Sequence, residues 1–310
     1  MTSLKTTIGQ ITLQNPIILA SGVLGSTYST LNRLFREGFG AVTTKSIGLT
    51  PRKGHPNPSV VYLPEIKSIL NAVGLANPGC KKFGEELRKV ESEVKFIVSI
   101  FGSSPEEITA VLTCIEETLT EGTKPIAFEL NLSCPHAENV GMAVGTDPSM
   151  VTEIVKASKN VTRLPIWIKL TPNIDNISKI GIAAVSGGAE AIVAINTIKA
   201  LRIDIHTKYP VLGNIQGGLS GRAIKPVGLR AIYDLYSTLG PKTSLIGVGG
   251  VSTWEDVIEY ILAGANAVQI GSILAYQESK KIIQGILTGL RSYLSQENLS
   301  ITELRGLAHE

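Results

Sequence analysis

The sequence predicts an α/β fold, a closed (β/α)8 barrel, on three observations. Eight short, apolar, β-rich runs recur along the chain. Helical patterns lie between most of them. The runs end, one after another, in polar residues or glycine. A parallel strand covered on both faces reads as a continuous apolar run, and eight such runs alternating with helices suggest a parallel sheet closed on itself. A doubly wound open sheet is the alternative. No GxGxxG follows the first run, which counts against a dinucleotide-binding version of that sheet.

Taken in order, Thr6 to Asn15 opens with Thr-Thr-Ile-Gly-Gln-Ile-Thr-Leu and predicts a small hairpin that plugs the lower end of the barrel. The barrel strands are expected at Pro16 to Ser21, Ala41 to Ser46, Phe96 to Phe101, and Ala127 to Ser133. They continue at Pro165 to Leu170, Ala191 to Asn196, Ser244 to Gly249, and Ala267 to Gly271. One helix is expected to be capped by Ser104, with Pro105 in its first turn and Glu107 as capping-box partner. Others open near Asp147-Pro148 and at Thr253-Trp254-Glu255-Asp256. Two insertions, near 47–80 and 198–222, follow the second and sixth strands. Loops after the strands build the catalytic face of such barrels, so both insertions are expected to cover a substrate. No low-complexity linker divides the chain, which reads as one domain over residues 1–310.

Composition narrows the function classes. The chain is 43% hydrophobic and 18% charged, an ordinary globular balance. Its mean hydropathy of +0.20 fits a sheet buried on both faces. No stretch reaches the roughly 18 uninterrupted apolar residues of a membrane helix. Met1-Thr2-Ser3-Leu4-Lys5 lacks the layout of a signal peptide. The net charge of +3 is small and dispersed, and gives no support to nucleic-acid binding. Cys80, Cys114 and Cys134 form no CxxC pair, so neither a disulfide framework nor an iron–sulfur or other metal site is expected within the chain. That cysteine usage fits a reducing cytoplasm.

The strand ends carry the chemistry. Gly249-Gly250 and Gly271-Ser272 follow the last two strands, where barrels often bind phosphate, and glycine lets backbone N–H groups approach phosphate oxygens. Lys45 and Lys169 end or interrupt apolar strands, Ala-Val-Thr-Thr-Lys and Ile-Trp-Ile-Lys-Leu. A buried lysine is costly unless an anion meets it, so the pair points to an anionic cofactor and an anionic substrate. A phosphate-bearing flavin answers to the first. Cys134 follows the fourth strand and starts a loop through His136 and Gly141 to Gly145, placed to act as a lid. Cys134 is a candidate nucleophile or general base, whereas Cys80 and Cys114 read as inert filler. Asn71, Asn131 and Asn196 each offer a donor and an acceptor, which suits a ring of alternating carbonyl and N–H groups such as a pyrimidine.

As a set, several segments resemble the dihydroorotate dehydrogenase family in its class 1 branch. They are Thr44-Lys45-Ser46, Asn71-Ala72-Val73-Gly74-Leu75, Asn131-Leu132-Ser133-Cys134-Pro135, Ile195-Asn196-Thr197, Gly217-Gly218-Leu219-Ser220-Gly221 and Gly247-Val248-Gly249-Gly250-Val251. The resemblance spans nearly the whole chain, and the second, fourth and fifth segments are most similar to class 1B. It implies an FMN enzyme of pyrimidine biosynthesis that oxidises dihydroorotate to orotate. It also implies a partner subunit with FAD and an iron–sulfur cluster that reduces NAD, around a homodimer core of a heterotetramer.

By the same resemblance, Cys134 is the base that takes the C5 proton. Lys45 and the segment Asn71, Ala72, Val73, Gly74 and Leu75 hold orotate, with Asn131, Asn196 and Thr197 on the pyrimidine edges. Ala20, Ser21, Lys45, Ser46, Ser99, Asn131, Lys169, Ile195, Gly221, Gly249, Gly250, Gly271 and Ser272 line FMN. Two positions depart from the family pattern. His136 stands where asparagine is frequent, a Cys-Pro-His also seen in dihydropyrimidine dehydrogenases, and Ser99 stands where many class 1B chains have asparagine. A fumarate-using class 1A dimer and a dihydropyrimidine dehydrogenase-like module are the alternative readings.

Overall fold

In a computed structural model, described over residues 3–119, 122–132 and 144–310, the chain opens with a hairpin of β1 (Thr6–Ile8) and β2 (Ile11–Leu13). Then come β3 (Ile17–Leu19), α1 (Tyr28–Glu37) and β4 (Ala41–Thr43). The first insertion carries β5 (Val60–Leu63) and β6 (Ser68–Asn71). It leads to α2 (Cys80–Leu87), β7 (Phe96–Ile100), α3 (Pro105–Thr118) and β8 (Ala127–Asn131). Next are α4 (Pro148–Val161), β9 (Ile166–Leu170), α5 (Ile177–Gly187) and β10 (Ala191–Ala194). The second insertion carries β11 (Ile198–Ala200) and β12 (Gly217–Gly221). The chain ends with α6 (Lys225–Leu239), β13 (Ser244–Val248), α7 (Trp254–Leu262), β14 (Ala267–Ile270), α8 (Ser279–Glu297) and α9 (Ile301–Leu304).

The barrel closes in the order β10-β13-β14-β3-β4-β7-β8-β9, with β9 pairing back to β10 in parallel. Every expected strand is present, each trimmed at one or both ends. Inside the barrel the lower layers are apolar: Ile18, Ala41, Ile97, Trp167, Val193 and Ile246 pack together. The hairpin seals this end. Ile8 and Leu13 join the same cluster, and Gly9 N–H donates to Ser244 Oγ at 2.9 Å. Asn266 Nδ2 donates to Thr7 O at 2.9 Å. Both partners sit at the amino-terminal ends of β13 and β14, so the plug lies opposite the mouth.

Helix starts follow their caps. Asp147 accepts from Ser149 and Met150 N–H at the start of α4, and Thr253 with Asp256 forms a full capping box on α7. Ser104 caps α3 by accepting from Glu107 N–H. Glu107 departs from the expected box: its carboxylate accepts from the backbone and hydroxyl of Ser103, each at 2.7 Å, one residue earlier than a reciprocal box requires.

Two further differences concern contacts between distant segments. The insertions carry no long strand pattern, yet they form one antiparallel sheet in the order β11-β12-β6-β5. Leu219 of β12 lies opposite Leu70 of β6. Cys80 and Cys114, expected as two separate inert thiols, are joined in a disulfide between α2 and α3 with their Cα atoms 6.1 Å apart. The expectation failed because pairing needs proximity in space, and a sequence separation of 34 gave no spacing signal. Cysteine usage therefore no longer argues for a reducing compartment. Among the described residues, no helix is long and apolar enough to cross a membrane.

Candidate active site

The carboxyl ends of the barrel strands and the four-stranded sheet above them enclose one cavity of about 680 Å³, within the range of small-molecule sites. Of the residues expected from the sequence, Ala20, Ser21, Lys45, Ser46, Asn71, Ala72, Val73, Gly74, Leu75 and Asn131 line it. So do Lys169, Ile195, Asn196, Thr197, Gly221, Gly249, Gly250, Gly271 and Ser272. Cys134 and His136 lie outside the described residues. The flanks of that segment meet at the mouth, where Gly145 N–H donates to Leu132 O at 3.0 Å, directly after Asn131.

Ser99 is the exception among the expected flavin-lining residues. It is fully buried behind the wall, where its hydroxyl pairs with Ser46 Oγ at 2.9 Å. From there a hydrogen-bonded chain crosses the mouth. Asn131 Nδ2 donates to Ser46 Oγ at 3.1 Å, and Asn196 Nδ2 donates to Asn131 Oδ1 at 3.1 Å. Thr197 N–H donates to Asn196 Oδ1 at 2.8 Å. These residues come from four different strand ends, and mutual bonding fixes each amide before any ligand arrives, which is the preorganisation catalysis needs.

The upper sheet adds a second wall. Asn71, at the end of β6, donates through Nδ2 to Gly218 O at 3.1 Å. Gly218 is required here, since a Cβ would sit 2.1 Å from Thr197 Oγ1. The close approach lets the cover settle directly on the amide network.

The two lysines occupy different surroundings. Lys45 follows β4, and no carboxylate among the described residues pairs with it. Burial pushes its ammonium below the ordinary lysine value. Lys169 is 5% exposed and has an internal counterion, Glu129, which is fully buried at 3.7 Å. Gln269 bridges the two: it accepts from Lys169 Nζ at 3.1 Å and donates through Nε2 to Glu129 Oε2. The other carboxylate oxygen, Oε1, accepts no hydrogen bond among the described residues and faces the ammonium. The expectation was that each buried lysine needs an anion: for Lys169 the fold itself supplies one in Glu129, and for Lys45 no carboxylate among the described residues does.

Glu129 and Gln269 were missed. Each interrupts an apolar run, Ala-Phe-Glu-Leu and Ala-Val-Gln-Ile, the same signal that singled out Lys169. His55, Asn173, Lys199 and Gln216 also line the cavity, and as loop and insertion residues they carried no pattern. Asn173 joins the elements around it, donating to Thr197 O at 3.0 Å and accepting from Lys199 N–H at 2.9 Å.

The glycine-rich rim fits a phosphate. Gly221, Gly249 and Gly250 have φ of 103°, 130° and 70°, a backbone that bares N–H groups. The N–H groups of Gly250 and Ser272 have no protein acceptor among the described residues.

Comparison with known proteins agrees with this geometry. The family model described as dihydroorotate dehydrogenase matches residues 3–294. The dihydroorotate dehydrogenase B (NAD(+)) catalytic subunit of Methanocella arvoryzae is 50% identical over 302 residues, covering 97% of this chain and 96% of the relative. The subunit of the same name from Methanosarcina mazei is 49% identical, covering 98% and 95%. That from Pyrococcus furiosus is 47% identical, covering 99% of each.

Proposed function

This chain belongs to the dihydroorotate dehydrogenase family, and on that premise we propose how its own residues carry out the reaction. The chain is a dihydroorotate dehydrogenase of the NAD-dependent B type, a catalytic subunit that oxidises dihydroorotate to orotate in pyrimidine biosynthesis. The observation that carries the residue assignment is the coexistence, in one cavity, of a half-buried lysine with no carboxylate partner among the described residues, a locked amide network and a glycine cradle.

The cradle of Gly221, Gly249, Gly250, Gly271 and Ser272 holds the phosphate of FMN, while Ala20, Ser21, Ser46, Lys169 and Ile195 hold its ring system. Ser99 supports this wall through Ser46 rather than by contact. Bound FMN supplies the acceptor for the hydride that leaves C6 of dihydroorotate. Lys45 meets the substrate carboxylate, replacing the hydration that burial removed from both charges. Asn71, Asn131, Asn196 and Thr197 bind the carbonyl and N–H edges of the pyrimidine, with the backbone from Ala72 to Leu75 closing over it. Cys134, as thiolate, accepts the proton from C5. Its assignment rests on the resemblance, supported by the flanks of its segment meeting beside Asn131.

Electrons leave to a partner. No GxGxxG follows a strand, and three cysteines cannot build a four-cysteine cluster. The partner we assign is an electron-transfer subunit with FAD and an iron–sulfur cluster. A second copy of this chain covers the apolar surface of the second insertion, where Ile205 and Tyr209 are 80% and 73% exposed. The resemblance also assigns the enzyme to the cytoplasm.

The test is anaerobic reduction of the bound flavin by dihydroorotate, followed by turnover of the isolated chain with NAD, fumarate and a dye. Flavin reduction with dye turnover but little NAD reduction is the expected result. Fast fumarate turnover by the chain alone contradicts the B-type assignment. Cys134→Ala is expected to keep its flavin and lose on the order of 10² to 10⁴ in the reductive rate, the usual cost of removing a positioned base. A near-normal rate removes Cys134 from the mechanism.

A further inference from the structure

We infer that Tyr260, outside the cavity, is a positioning residue for the cofactor phosphate: its hydroxyl aims the Gly249–Gly250 peptide so that the Gly250 N–H points into the cradle. The inference rests on the FMN reading above.

Tyr260 lies on α7, behind the mouth, and is fully buried. A buried tyrosine hydroxyl needs a partner, and among the described residues this one has a single partner, donating to Gly249 O at 2.8 Å. Burial and the nearby Asp256 and Glu259 carboxylates push its ionisation far above the ordinary tyrosine value, so it acts as a fixed donor.

Two glycines make room for it. A Cβ at Gly228 of α6 would sit 2.2 Å from the hydroxyl and 2.8 Å from Val248 O, and a Cβ at Gly247 of β13 would sit 2.3 Å from the ring. Glycine inside a helix costs roughly 0.5–1 kcal/mol relative to alanine, so its presence at position 228 calls for a compensating contact. The hydroxyl in that space is the contact.

The consequence follows from peptide geometry. In a planar trans peptide, C=O and the following N–H point in opposite directions. With Gly249 O held toward α7, the Gly250 N–H is turned the other way, toward the cavity that both residues line. That N–H has no acceptor in the protein among the described residues. Without the hydroxyl, a pair of glycines at φ 130° and 70° has many alternative conformations.

The neighbouring cation does not supply the missing recognition. Lys225, whose Cβ approaches Gly250, is paired with Asp256 at 2.7 Å and Glu259 at 2.9 Å. Phosphate recognition at this turn therefore falls to backbone N–H groups, and their direction decides its strength.

The experiment compares FMN with riboflavin, which shares the ring but lacks the phosphate. Deflavinated wild type, Tyr260→Phe and Gly228→Ala are titrated with each flavin, reading fluorescence quenching. Tyr260→Phe is expected to weaken FMN binding by about threefold to tenfold, the weight of one hydrogen bond, and to leave riboflavin binding unchanged. Gly228→Ala, which displaces the hydroxyl, is expected to reproduce this selective loss and to add little on top of Tyr260→Phe. FMN affinity unchanged in Tyr260→Phe, or equal losses for both flavins, overturns the positioning role. A wild-type chain that binds neither flavin overturns the FMN reading itself.

Discussion

Lys45 and Lys169 sit in the same cavity wall, yet one meets a carboxylate of the protein and the other, among the described residues, does not. Lys169 has Glu129 and Gln269 inside the barrel, so its charge is balanced before anything binds. Lys45 has no such partner among the described residues, and burial holds its ammonium down. The first arrangement balances a charge within the fold; the second, on the function proposed above, leaves a charge for the substrate. A buried charge thus becomes informative about function only after its internal counterions have been found.

The largest effect that would break this comparison is on folding. Glu129→Leu leaves Lys169 buried and unpaired, which is expected to destabilise the chain by about 3–5 kcal/mol. The double variant Glu129→Leu/Lys169→Met removes both charges and should recover most of that loss. Urea unfolding of the four proteins in the cycle measures it. A mild single-variant effect with no coupling would mean that the 3.7 Å pair contributes nothing to stability.

Lys45→Met makes the opposite case. Its folding stability should be unchanged or slightly higher, because a desolvated charge has been removed. Orotate binding should weaken by about 2–3 kcal/mol, the cost of truncating one side of a buried charge-assisted contact. Titrating the flavin spectrum with orotate reads this directly. Equal losses of stability and affinity would erase the distinction between the lysines.

The smallest effect sharpens the comparison through pH. The folded-state value of Lys45 lies below its unfolded value of 10.5. Between the two, the unfolded chain binds more protons, so stability of the unliganded protein rises with pH in that window. Orotate affinity falls over the same window, as the carboxylate loses its cation. Lys45→Arg, which stays charged, should abolish the alkaline loss of affinity. Orotate titrations across the alkaline range check it, and an identical profile for both proteins would assign the titration to another group.

The barrel was legible in the sequence because burial on both faces turns each strand into an apolar run. The site was legible by position, since residues after such strands converge on one mouth. Lys169 was found because it breaks Ile-Trp-Ile-Lys-Leu, but its internal partners were not, because Glu129 and Gln269 meet it only through barrel closure. The upper sheet was hidden for a related reason. Gly217 to Gly221 is too rich in glycine to show strand character, and becomes a strand only by pairing with β6. Ser99 reached the expected list through resemblance, and only the fold shows it standing behind Ser46. The Cys80–Cys114 link likewise depends on α2 lying against α3.

The cover sheet also sets a schedule for the newborn chain. One edge of β6 pairs with β5 close in sequence, but its other edge waits for β12, and the Asn71–Gly218 contact joins residues 147 apart. Closing so long a loop is slow, and synthesis proceeds from the amino terminus. During translation β6 therefore presents an open strand edge, a template for unwanted pairing, until most of the barrel has emerged. The roof of the catalytic chamber thus waits for a strand far down the chain, and chaperone dependence should concentrate in that interval.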